Sequence, residues 1–106
     1  MSNVADITDN SFSDIISQSN LVVVDFWASW CGVCRKFESI IETTANEMTN
    51  IKFVKMEVDK SPVTTEKYSV TGLPTVLIFK NGELVERITS AMTKSKLIEI
   101  VNKYEK

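Results

Sequence analysis

The stretch Leu21-Val22-Val23-Val24-Asp25-Phe26-Trp27-Ala28-Ser29-Trp30-Cys31-Gly32-Val33-Cys34 decides the fold. Its first part is an apolar run rich in β-branched residues and continuous except at Asp25, as a strand covered on both faces should be. After Cys34 the period changes. Phe37, Ile40, Ile41, Thr44, Ala45 and Met48 recur at helical spacing, with Asn50 as a stop. A buried strand therefore hands over to a long helix, and a dithiol sits at the junction. The first sulfur lies near the helix N-terminus, where free N–H groups and the helix dipole favour a thiolate. Cys31 and Cys34 are the only cysteines of the chain, and their placement suits thiol–disulfide exchange.

Working outward, strand and helix alternate. Val4 to Thr8 reads as a short first strand. Phe12, Ile15 and Ile16 then give one apolar helix face, capped by Asp9 or Asn10 and ending near Asn20. Ile51 to Asp59 alternates as a second internal strand, and Ser61-Pro62 opens a short helix towards Tyr68. Thr75 to Phe79 and Glu83 to Ile88 flank Lys80-Asn81-Gly82, whose Asn-Gly predicts a tight hairpin and hence antiparallel strands. Thr93 caps a last helix with Leu97, Ile98, Val101 and Tyr104 on one face. The pattern predicts an α/β fold, a central mixed β-sheet flanked by helices on both faces, in one domain over residues 1–106.

Hydrophobic residues make up 43% and charged residues 25% of the 106, enough for a core without staples. The net charge of −2, with signs interspersed, offers no basic stripe for nucleic acid and no polybasic segment for a membrane. The N-terminus has neither a basic n-region nor an apolar h-region, so a cytoplasmic location is expected. A zinc site needs four ligands, and with no histidine and no third cysteine only a dimer sharing two pairs could build one. No metal and no cofactor are expected.

Asp25 to Cys34, then Gly72-Leu73-Pro74-Thr75, then Phe79-Lys80-Asn81-Gly82-Glu83, resemble the thioredoxin family in order and spacing across essentially the whole chain. A bare C-x-x-C is weak, since zinc ribbons and chance produce it. The aspartate six residues upstream of Cys31 and the downstream Gly-x-Pro-Thr make the combination specific. The resemblance implies a protein-disulfide reductase that acts on disulfide-containing clients, is recharged by a thioredoxin reductase or equivalent donor, and works as a monomer.

The residues suggest the division of labour. Cys31 opens the helix with its sulfur exposed beside Trp30, so its pKa falls below the free value of about 8.5 and it attacks. Cys34, one turn further in and shielded, reaches the mixed disulfide and resolves it. Gly32 leaves the gap between them open to a substrate backbone. A disulfide that merely staples a turn explains the spacing poorly, because so short a loop saves little chain entropy.

Asp25 is a carboxylate in an apolar strand, costly if ionised and unpaired. It either hydrogen-bonds backbone at a strand end or does chemistry. The resemblance implies the second: a raised pKa, with Asp25 moving a proton to and from Cys34 while Lys55 approaches it. It also implies a cis Leu73-Pro74 bond facing the dithiol, with a substrate groove formed by Trp30, Gly32, Val33, Gly72, Leu73, Pro74 and Ser90, and Trp27 as packing. Read in isolation, Gly72-Leu73-Pro74 is an ordinary turn.

Three residues depart from the family pattern. Val33 and Ser39 replace prolines, and Ser90 replaces a glycine of the groove. Val33 supplies an N–H that proline lacks, and if directed at the Cys31 sulfur it raises the reduction potential. Two other readings stay open: a redox-silent module that holds partners in the groove, and an oxidase or isomerase with a shifted potential.

Overall fold

The computed structural model describes residues 3–105. Val4–Ile7 (β1), Leu21–Trp27 (β2), Lys52–Glu57 (β3), Thr75–Lys80 (β4) and Glu83–Ile88 (β5) form one sheet in the order β1-β3-β2-β4-β5. β1, β3 and β2 run parallel, while β4 is antiparallel to β2 and β5 to β4. β2 lies in the middle, which is why its residues can be apolar on both faces.

Alternation along the strands separates two cores. Leu21, Val23, Phe53, Val76 and Ile78 face helix α2 (Gly32–Glu47) and helix α4 (Lys94–Asn102), meeting Phe37, Ile41, Ala45, Leu97 and Val101. Val22, Val24, Phe26, Val54, Met56, Leu77 and Phe79 face the other way, towards helix α1 (Asp9–Gln18) with its Phe12 and Ile16. The short helix α3 (Pro62–Lys67) lies on that side too, followed by Tyr68, whose ring meets Phe12 and Phe79 edge-on or tilted at 5.4–5.6 Å. No helix of the described residues is long and apolar enough to cross a membrane.

The expected elements are present with adjusted ends. Thr8, not Asp9 or Asn10, is the N-cap of α1. Asp9 is instead committed elsewhere, its carboxylate accepting the backbone N–H of Val63 at 3.0 Å and of Thr64 at 2.8 Å in the first turn of α3. Those bonds hold its pKa below the usual carboxylate value against the opposing effect of burial. β3 stops at Glu57, where Val58–Lys60 close into a 3-10 turn before Pro62. α2 ends at Glu47, with the Met48 N–H still bonded to Thr44 O, so Asn50 lies beyond it. The hairpin turns on Asn81 and Gly82, both at positive φ as a two-residue turn of this kind requires. A bulge follows: Ile78 pairs with Glu86 but Phe79 with Leu84.

The order of the strands brings three connections to one end of the sheet. They are the Ala28–Cys31 segment after β2, the Val58–Lys60 turn after β3, and the Gly72–Pro74 segment before antiparallel β4. The carboxyl ends of parallel strands are where open α/β sheets place their sites.

Candidate active site

Cys31 is the N-cap of α2 and is disulfide-bonded to Cys34, with the two Cα atoms 5.3 Å apart. Its Sγ accepts the backbone N–H of Cys34 at 3.2 Å, the bond a serine or aspartate makes at other helix starts. A thiolate released at this position meets that donor and the positive end of a 16-residue helix. Cys34 is 2% exposed and Cys31 9%. Cys31 is thus more covered than the sequence led us to expect, because the pair packs with Ala28 against Trp27, Val58 and Leu73. The donor at its sulfur also corrects an expectation: it comes from Cys34, not from Val33. Val33 projects its side chain into solvent, 55% exposed.

Asp25 occupies the α2 face of β2, alternating with Leu21 and Val23. It is 2% exposed, and its Oδ1 has no hydrogen-bond partner. It does not cap backbone at a strand end. Burial pushes its pKa up from 3.8 to about 8, opposed by the nearby charge of Lys55 and assisted by that of Glu38. Lys55 is its direct neighbour in the parallel register of β3. The ammonium itself reaches Glu38 Oε2 at 3.2 Å and lies 5.2 Å from the centre of the Trp27 ring.

The two tryptophans differ in exposure. Trp30 is 69% exposed beside Cys31, with its indole N–H bonded to Asp59 Oδ2 at 3.0 Å. Trp27 is half-buried against the dithiol cluster. Leu73 packs on the same cluster, the Leu73-Pro74 bond is cis and Pro74 is buried. Thr75 fastens this segment, its buried hydroxyl donating to Gly72 O at 2.6 Å. A Cβ added to Gly32 or Gly72 would meet nothing within 4 Å, so neither glycine is demanded by the protein's own packing. Ser90 is exposed in the β5–α4 connection. Ser39 leaves α2 unbroken, its hydroxyl bonded back to Lys36 O at 3.2 Å.

Three participants were not singled out from the sequence: Val58, Asp59 and Glu38. Glu38 follows Cys34 by one helical turn, and that spacing is the signal that puts it on the same helix face. Asp59 carried no comparable signal, since its contact with Trp30 joins two loops.

A model of the thioredoxin family matches residues 3–103. The chain belongs to the thioredoxin family. Thioredoxin from Listeria monocytogenes is 43% identical over 102 residues, covering 95% of this chain and 98% of the relative. That from Pyropia yezoensis is 41% identical over 103 residues, at 95% and 96% coverage. Among solved structures, oxidised thioredoxin of Plasmodium falciparum superposes with a TM-score of 0.87 at 36% identity, covering 97% of this chain and 99% of that one. A mutant thioredoxin from Halobacterium salinarum reaches 0.90 at 29% identity, covering 98% and 93%. Thioredoxins are protein-disulfide oxidoreductases, and this member carries the cysteine pair of that chemistry at disulfide distance.

Proposed function

We propose that this thioredoxin-family protein reduces protein disulfides, with Cys31 attacking and Cys34 resolving. The observation that carries the reading is the asymmetry of the pair. Cys31 caps the helix beside exposed Trp30 and receives the Cys34 N–H, whereas Cys34 lies inside the first turn and is 2% exposed.

The Cys31 thiolate attacks one sulfur of a client disulfide. That S–S bond breaks, one client thiolate leaves and takes a proton, and a mixed disulfide remains. The Asp25 carboxylate then takes the proton of the Cys34 thiol, and the Cys34 thiolate attacks Cys31 Sγ. The second client sulfur departs as a thiolate, and two electrons have passed to the client. A base with a pKa near the working pH is suited to this transfer, and burial brings Asp25 to about 8. A reductase restores the dithiol.

Trp30, Val33, Gly32, Gly72, Leu73 and Pro74 form the client groove in this reading, with open space above both glycines for a client backbone. The exchange needs the sulfurs of one chain only, so the protein works as a monomer. Both cysteines of the sequence belong to the reactive pair, leaving none for a structural bridge, which favours a reducing compartment such as the cytoplasm. The net charge of −2 favours neither nucleic acid nor a membrane surface as partner.

Trapping tests the order of attack. The Cys34→Ser protein should accumulate mixed disulfides with client proteins, and Cys31→Ser should form none and reduce nothing. Adducts from Cys31→Ser but not from Cys34→Ser would reverse the roles.

A further inference from the structure

Asp25 has two charged neighbours on the layer between the sheet and α2, and they are bonded to each other. Lys55, opposite Asp25 in the β2–β3 register, directs its ammonium to Glu38 Oε2 at 3.2 Å. Glu38 rises from α2 four residues after Cys34, so one helix carries both the resolving thiol and the carboxylate that holds the lysine. Their side chains are 21% and 37% exposed, a partly desolvated pair rather than a free surface contact. The Trp27 ring, 5.2 Å from the ammonium, supports the same position. Asp25 Oδ1 meanwhile has no donor.

We propose that Glu38 is a positioning residue of this site: its carboxylate draws the Lys55 ammonium onto α2, away from Asp25, and so fixes how readily the buried carboxyl releases and regains its proton. The inference rests on the reading of Asp25 as the base for Cys34.

No other described charge competes for this role. From β4 the residues beside Asp25 are Thr75, Val76 and Leu77, all uncharged. On β3, Glu57 shares the face of Lys55 but pairs with Lys60 at 3.6 Å, outward along the 3-10 turn. On α2, Cys34 and Phe37 are buried and uncharged and Glu38 is half-buried, while Arg35 and Lys36 are exposed. Glu38 therefore acts twice on Asp25, through its own negative charge and by occupying the one nearby cation. Both effects hold the carboxyl in its protonated form, in line with the directions found for the two charges.

The test follows the Asp25 carboxyl by 13C NMR titration in the full-length oxidised and reduced protein, beside the pH profile of mixed-disulfide release in single turnovers. Glu38→Gln should lower the Asp25 midpoint by about one pH unit, because Lys55 is freed to face it. Glu38→Asp, which keeps the charge, should restore most of the wild-type midpoint. In a Lys55→Gln background the effect of Glu38→Gln should shrink. An Asp25 midpoint unmoved by Glu38→Gln, or moved equally by Glu38→Gln and Glu38→Asp, would overturn the inference. A shifted titration with an unshifted release profile would instead support it and refute the assignment of Asp25 as the base.

Discussion

Removing the Asp25 carboxyl should stabilise the oxidised protein, and should do so by an amount that grows with pH. The group titrates at about 8 in the folded protein against 3.8 as its ordinary value. A carboxyl whose folded pKa is raised binds a proton in the native state that the unfolded chain has already lost, so its contribution is most favourable below 3.8. Stability then falls as pH rises towards 8, and no further beyond it. Each pH unit inside that window costs about 1.4 kcal/mol, which makes roughly 4 kcal/mol between the ordinary value and pH 7. Asp25→Ala abolishes this slope. It also removes an unpaired buried oxygen, while the small void left behind costs on the order of 1 kcal/mol. Guanidinium unfolding of the oxidised wild type and variant at pH 5, 6, 7, 8 and 9 measures the difference directly, and other titrating groups cancel between the two proteins. The advantage of the variant should widen by roughly 1.4 kcal/mol per unit from pH 5 to 8 and then level off. A difference independent of pH, or a variant less stable than wild type at pH 8, would refute the account of a carboxyl kept neutral by burial.

Val33→Pro leaves the donor at the Cys31 sulfur in place, because that donor is the Cys34 N–H. Its glutathione equilibrium should therefore lie within about 30 mV of wild type, and a larger fall in potential would show that the Val33 amide acts on the thiolate after all. Ser90→Gly tests the family's groove position, where the exposed Ser90 stands in place of the family's glycine. If the β5–α4 connection contacts clients, kcat/KM should rise for a bulky protein disulfide and not for a small one; equal values for both would remove Ser90 from the groove.

What the sequence made legible and what it hid differ by the distance over which each signal acts. β2 and α2 were readable because a change of hydrophobic period is local, and the hairpin because Asn81 and Gly82 readily take the positive φ angles it needs. The bulge between Ile78 and Phe79 was not, since it depends on how β5 registers against β4 rather than on either strand's own pattern. Asp9 was misassigned for the same kind of reason. Its composition fits a cap, and it does cap a helix turn, but that of α3, whose N–H groups lie 54 and 55 positions away. In the site, Asp25 announced itself as the one charge in an apolar run. The pairing of Lys55 with Glu38 could not, because a lysine in an alternating strand and a glutamate on a helix are each unremarkable until the sheet and helix are stacked. The fold therefore does more than bring the dithiol to the end of β2. By setting β3 beside β2 and laying α2 across both, it places a cation next to a buried acid and a second acid beside the cation, on the helix of the resolving thiol. The proton affinity of Asp25 is thereby a property of three elements at once, and a substitution on α2 that touches neither cysteine should be able to retune the reaction.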